Sequence, residues 1–236
     1  MESGAAMQKI DKQQLPGAKA RRRAGFAVLA LLGLGLLAGC ASGAKVQPIA
    51  VVPEPPVPAV SSVARLGEGR EGFIIRDIPV DAEAAQDFDR AVVMMQAGDY
   101  DSASSLLEKV IAQAPGVTAP YINLAIASRH NGQPERAEEA LQIALQLIPA
   151  HPVASNEYGL LLRKAGRFAE TRAIYEKSLA AFPDYSPAHK NLGILCDLYL
   201  KDLACALDHY ESYSAAVPKD EQVKLWVADL HVRLKR

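Results

Sequence analysis

From about residue 84 onward, apolar positions recur with a helical period, and the helices are punctuated at fixed intervals. Prolines fall at Pro115, Pro149, Pro183 and Pro218, spaced 34, 34 and 35 residues apart. Glycines fall at Gly98, Gly132 and Gly166, spaced by 34. Between each turn and the next proline, a small or β-branched residue precedes a bulky one by four: Ala103/Leu107, Ala137/Leu141, Thr171/Tyr175 and Ala206/Tyr210. The preceding helix carries Ala91, Ala125, Gly159 or Gly193, small enough for a partner helix to cross closely. A glycine ends the first helix of the first three units, and a proline stops the second helix of all four. The pattern predicts four helix-turn-helix units at 84–117, 118–151, 152–185 and 186–220 within a domain spanning 81–236. After Pro218, "KDEQVKLWVADLHVRLKR" makes one more amphipathic helix over 220–235. Its apolar stripe is Val223, Trp226, Val227, Leu230 and Leu234. The last unit of a stacked array exposes a core face, so this helix is expected to cap it and turn a polar side outward.

Two stretches, "PYINLAIASRHNGQPERAEEALQIALQLIPAH" and "NEYGLLLRKAGRFAETRAIYEKSLAAFPDY", resemble the tetratricopeptide repeat along their whole length. The resemblance implies an all-α solenoid of four repeats plus a capping helix. It also implies a concave groove lined by the first helix of each repeat. The family's groove positions map here onto Phe88, Val92 and Met95 in the first repeat and Ile122, Ile126, Arg129 and His130 in the second. The third repeat supplies Asn156, Leu160, Arg163 and Lys164, and the fourth Lys190, Ile194 and Asp197. One row is apolar throughout: Val92, Ile126, Leu160 and Ile194. Cations gather in the middle, at Arg129, Arg163, Lys164 and Lys190. Repeats of the carboxylate-clamp kind place Asn where Val92 stands, so this groove departs from them. The expected ligand is an extended or helical protein segment with apolar anchors and some acidic character. The competing expectation is that these apolar residues pack against the segment 72–80 or a neighbouring repeat.

The N-terminus has a different pattern. Arg21, Arg22 and Arg23 precede an uncharged apolar run, "AGFAVLALLGLGLLA", over 24–38. A basic region followed by an apolar stretch of this length reads as a secretory signal over 1–39. It is short for a bilayer span, which needs roughly 17–25 residues. The tail of this run, "LAGC" (Leu37 to Cys40), resembles the bacterial lipobox. That resemblance implies cleavage before Cys40 and acylation at that cysteine, a palmitate-type anchor. Ala41 and Ser42 follow where an Asp marks inner-membrane retention, so the resemblance points to an outer-membrane lipoprotein facing the periplasm. Met7 offers an alternative start. Residues 40–80 then read as a lipid-anchored linker. "VQPIAVVPEPPVPAV" carries five prolines and behaves as a semi-rigid spacer at ~3.1 Å per residue. Near its end, "EGFIIRDIPV" offers a short extended segment, to pack on the first helix or serve as an interaction strand.

Composition excludes more than it identifies. Residues 1–39 carry six Lys or Arg against two acids, which leaves a formal charge of −5 on the remainder. A mildly acidic body argues against nucleic acid as a partner. No GxSxG, HExxH, CxxC or phosphate-loop pattern occurs. Trp226 reads as cap core. The five histidines, His130, His151, His189, His209 and His231, fall at different repeat positions and read as surface or inter-repeat residues. We therefore expect no catalytic residue, no metal and no cofactor.

Cys196 and Cys205 flank the turn of the fourth repeat, where "LKD" (Leu200 to Asp202) replaces the glycine and the extra residue of the 35-residue spacing is assigned to the turn. They read first as small packed core residues. Export past the membrane leaves a disulfide open to them. Bridging needs Cα atoms within about 7 Å, whereas packed helix axes lie ~8–10 Å apart. Two thiolates without a third ligand make a poor metal site. Taken together, the sequence resembles bacterial lipoproteins that use these repeats as envelope adaptors. The pilotins of type IV pili and the repeat lipoproteins of TonB/ExbB-type systems are of this kind. The expected role is a non-enzymatic scaffold for proteins of an envelope complex. A tether to peptidoglycan or cell-wall enzymes is the alternative.

Overall fold

A computed structural model describes residues 61–65, 73–76 and 78–235. The expected signal segment, Cys40 and the proline-rich stretch lie outside the described residues. Four antiparallel helix pairs follow one another: α1 Ala82–Gln96 with α2 Tyr100–Gln113, α3 Thr118–His130 with α4 Pro134–Leu147, α5 Pro152–Lys164 with α6 Phe168–Ala181, and α7 Ser186–Ile194 with α8 Leu203–Ala216. A last helix, α9 Glu221–Leu234, packs on α8. Each pair also packs on the next, and the first helices α1, α3, α5 and α7 lie side by side. This is the expected solenoid of four repeats and a cap.

The close crossing within each repeat rests on a size match. In the first two repeats an alanine faces a leucine (Ala91 with Leu107, Ala125 with Leu141), and all four are buried. In the last two a tyrosine replaces the leucine and a glycine replaces the alanine. A Cβ on Gly159 would lie 2.3 Å from the Tyr175 ring, and one on Gly193 would lie 2.5 Å from Tyr210. Both tyrosines are fully buried, so these glycines are required by their partners' bulk.

Within three of the repeats the helices join through a left-handed residue, Gly98, Gly132 or Gly166, with φ between 71° and 81°. The N–H three places past the helix end reaches back five residues: Asp99 to Met94 O, Gln133 to Ser128 O and Arg167 to Leu162 O, each 2.9 Å. The fourth repeat differs. Leu195–Leu200 winds as a π-helical turn, Lys201 takes the left-handed position with φ 59°, and Asp202 N–H reaches back six residues to Cys196 O at 2.9 Å. The extra residue therefore sits in the widened last turn of the first helix, before the connecting turn. That corrects its expected place: a π turn absorbs one residue without breaking the chain of hydrogen bonds. Aspartates cap four helices: Asp81, Asp99, Asp202 and Asp220 accept from the N–H three residues on.

Two further differences concern the ends. Segment 72–80 divides: Ile78 and Val80 line a cleft with Phe88 of α1, and Phe73–Arg76 forms a hairpin strand. β2 (Phe73–Arg76) pairs antiparallel with β1 (Ser62–Arg65), Ser62 opposite Arg76 and Arg65 opposite Phe73. Strand β1 falls inside the expected linker, four residues too short to show a period. The hairpin runs along the edge where one repeat passes to the next. Ser61 N–H donates to Gly116 O at 3.0 Å, and Phe73 meets Phe182 and Tyr185 edge-on at 5.8 and 5.6 Å. At the other end, Val223 and Leu230 of α9 are fully buried, with Trp226 and Val227 partly buried against Tyr210 and its neighbours. Leu234 is exposed, as are Leu225 and Val232, so the cap's outer side is less polar than expected.

Candidate interaction groove

The apolar row runs along the side-by-side first helices. Val92, Ile126, Leu160 and Ile194 are all half-buried, as are Phe88 and Met95. Phe88 lines a small cleft with Ile78 and Val80, so the chain's own extended segment covers the groove's first repeat in part. Ile122 is buried in the core and is not presented to a ligand. Asn156 is also buried. Its Oδ1 accepts from Asn191 Nδ2 at 2.9 Å, and its backbone oxygen accepts from the Tyr175 hydroxyl.

The four cations divide into two kinds. Arg129 donates to Glu157 of the next repeat at 3.5 Å. Lys190 donates to Asp220 at 2.7 Å and stands over the Tyr213 and Trp226 rings at 4.9 and 5.8 Å. Tyr213 Oη also donates to Asp220, at 2.9 Å. The bonds from Lys190 and then Tyr213 hold the Asp220 carboxyl below its ordinary range, so Lys190 ties the fourth repeat to the cap. By contrast, neither Arg163 nor Lys164 has an ion-pair partner among the described residues. Lys164 is exposed and, with Arg129, Glu138 and Arg167, lines a cleft of about 410 Å³ at the turn edge between repeats two and three. Arg167 bridges repeats by donating to Glu138 at 2.6 Å and Glu170 at 2.7 Å; its bond holds the Glu138 carboxyl low. Asp197, buried, faces Arg233 of the cap at 2.8 Å.

Cys196 and Cys205 are joined by a disulfide, with Cα atoms 5.9 Å apart. This corrects the first reading of two separately packed thiols. The general spacing of helix axes does not apply here, because Cys196 lies within the π turn and Cys205 in the first turn of α8. His130 and His231 are exposed, as expected, whereas the three other histidines are not surface residues. His151 is fully buried, and its Nδ1 accepts from Ala154 N–H at 3.3 Å, capping α5. His189 and His209 meet across the fourth repeat, Nδ1 to Nδ1 at 3.1 Å, with His189 Nε2 on Pro183 O at 2.7 Å. If His189 Nε2 donates, its Nδ1 accepts from His209. Burial, then the neighbouring His189, pushes His209 below the ordinary histidine range. Sequence spacing hid this contact because the two histidines lie on different helices.

Comparison with known proteins agrees with this architecture. A tetratricopeptide-repeat family model matches residues 94–156. Among solved structures, Pseudomonas aeruginosa pilF superposes with a TM-score of 0.59 at 22% identity, over 64% of this chain and 69% of that one. MamA residues 41 to the end, from Desulfovibrio magneticus RS-1, gives 0.57 at 20% identity, over 66% and 88%. A curated relative named as a probable UDP-N-acetylglucosamine–peptide N-acetylglucosaminyltransferase, SPINDLY of Petunia hybrida, is 27% identical over 105 residues. The chain spans only 11% of that relative's length. The helical part of this chain has the fold of a tetratricopeptide-repeat solenoid.

Proposed function

We propose that this protein is a non-enzymatic scaffold of the bacterial envelope, an outer-membrane lipoprotein acylated at Cys40. Its groove binds a segment of a partner protein and so helps assemble or stabilise an envelope machine of the type IV pilus or TonB/ExbB kind. The observation that carries the binding role is the groove itself. Its apolar row is half-exposed in every repeat, and two of its four cations have no ion-pair partner among the described residues. The apolar row supplies affinity through burial, and the cations select the sign of the ligand's charge. The envelope assignment is supported by the basic–apolar–LAGC order of the N-terminus.

The test is a photo-crosslinker placed in turn at Ile126, in the groove, and at Glu139, exposed on α4. In cells, a defined envelope protein is expected to crosslink from Ile126 and not from Glu139. Equal capture from both would refute groove binding. Metabolic labelling with palmitate, lost in Cys40→Ala, checks the anchor. The proline-rich spacer favours a second reading, a tether to the cell wall. That reading requires sedimentation with peptidoglycan that survives substitution of Ile126.

A further inference from the structure

Two of the groove's four cations, Arg129 and Lys190, pair with an acid of the following unit, and Arg163 does not. Arg129 pairs with Glu157, the residue 28 positions on in the next repeat. Arg163 stands at the equivalent place one repeat later, and the residue 28 positions beyond it is Asn191. Asn191 has no charge to offer, and its amide is already donated to Asn156 at 2.9 Å. Arg163 is thus left without a carboxylate among the described residues, and its Nη1 is buried with no hydrogen bond. The rest of the side chain is half-exposed. Its Cζ lies 6.0 Å from the centre of the Tyr199 ring, a distance at which a cation is held by the ring face. The guanidinium has therefore shed part of its hydration without gaining an anion.

Beside it lies an apolar surface that the other repeats lack. Leu198 and Tyr199 are 56% and 45% exposed, where the first three repeats carry Gln96 and Ala97, His130 and Asn131, Lys164 and Ala165. Both belong to the π turn that absorbs the extra residue. The disulfide from Cys196 to Cys205 fixes that turn to α8, and Phe168 supports the Tyr199 ring at 4.7 Å. The patch is thus held rigid and ready, with little ordering left for binding to do.

We propose that Arg163, Tyr199 and Leu198 form an anchor for one Asp or Glu side chain in a partner protein's segment, with a neighbouring aliphatic residue of that segment seated on Leu198 and Tyr199. This rests on the groove reading and specifies it. Because Nη1 is buried, the carboxylate accepts from the Nε and Nη2 side of the Arg163 guanidinium, and Lys164, exposed one residue on, adds to the attraction. A chain-terminal carboxylate fits less well. Arg129 and Lys190, the other cations a terminal grip would recruit, are already paired within the chain.

The test pans a phage-displayed random 12-mer library on the full-length chain in detergent micelles. Binding of the enriched peptide is then read by fluorescence anisotropy. An acidic residue flanked by an aliphatic one is expected in the enriched sequences. Changing that acid to its amide, or Arg163→Gln in the protein, is expected to weaken binding roughly ten- to a hundredfold. The two changes together should weaken it no further. Leu198→Asp, at an exposed position, should abolish binding. If Arg163→Gln fails to fold, the amide peptide and Leu198→Asp carry the test. An enriched peptide that is lost with Ile126→Ala yet indifferent to Arg163→Gln, to Leu198→Asp and to its own acid overturns the anchor and leaves the groove reading standing. If no peptide is enriched, both fall.

Discussion

Gly159→Ala is the sharpest single perturbation of this fold. The new methyl carbon would sit 2.3 Å from Tyr175 Cζ, 2.4 Å from Cε1 and 2.7 Å from Oη. Tyr175 has no exposed surface into which to retreat. Overpacking of this kind costs about 1–3 kcal/mol. Replacing a mid-helix glycine by alanine returns about 0.5–1 kcal/mol of backbone entropy. The net loss expected is therefore up to about 2.5 kcal/mol. Tyr175→Leu alone removes most of a ring from the core and should cost about 2 kcal/mol or more. The double variant rebuilds the Ala/Leu pair of the first two repeats, so the two losses should not add. A coupling of at least ~1 kcal/mol in the stabilising direction is expected. Urea unfolding followed by circular dichroism at constant slope measures all four corners of the cycle. Additivity within about 0.5 kcal/mol would refute the size-match argument. Gly166→Ala supplies the contrast. Nothing lies near its Cβ, but φ is +76°, so it should lose ~1 kcal/mol that Tyr175→Leu does not recover.

Other consequences are as direct. Removing the disulfide by Cys196→Ala with Cys205→Ala releases a short closed loop and should lower stability by ~2–3 kcal/mol; a urea midpoint that does not move would refute this. Alkylation without reductant, read by mass, should leave both cysteines of the wild type unmodified. His209 is depressed when folded, so the unfolded chain binds protons first as pH falls. Its stabilising contribution is complete above about 6.5 and is lost as pH drops below that value. The melting temperature should therefore fall between pH 7 and 5, and His209→Asn should flatten that dependence. At the alkaline end burial pushes the Tyr185 hydroxyl up to about 12, and Tyr175 and Tyr210 are also raised. Stability is then full below about 10 and should fall as pH rises toward 12. Lys190→Met keeps the apolar stem but leaves Asp220 without its cation. It should loosen α9, seen as faster amide exchange in 221–234.

How much of this was legible in the sequence depends on whether the signal is periodic. The repeats were legible because proline, glycine and the small–bulky pairs recur at a fixed interval, and each carries a local physical cause. Even the trade of alanine and leucine for glycine and tyrosine was visible as residues, although only the structure shows that they touch. The groove was half legible. Position in the repeat gives the first-helix face, but not whether Arg129 or Lys190 is already paired, because Glu157 and Asp220 belong to the following unit. The irregular features were the ones misread. A 35-residue spacing locates an insertion only to the region between two landmarks. Whether it enters the connecting turn or widens a helix depends on which backbone hydrogen bonds survive, and here the ladder survives by reaching six residues instead of five. That choice places Cys196 within reach of Cys205 and leaves Leu198 and Tyr199 on the surface beside Arg163. The break in the period is therefore where this solenoid acquires a surface its other repeats do not have, and where its selectivity is to be sought.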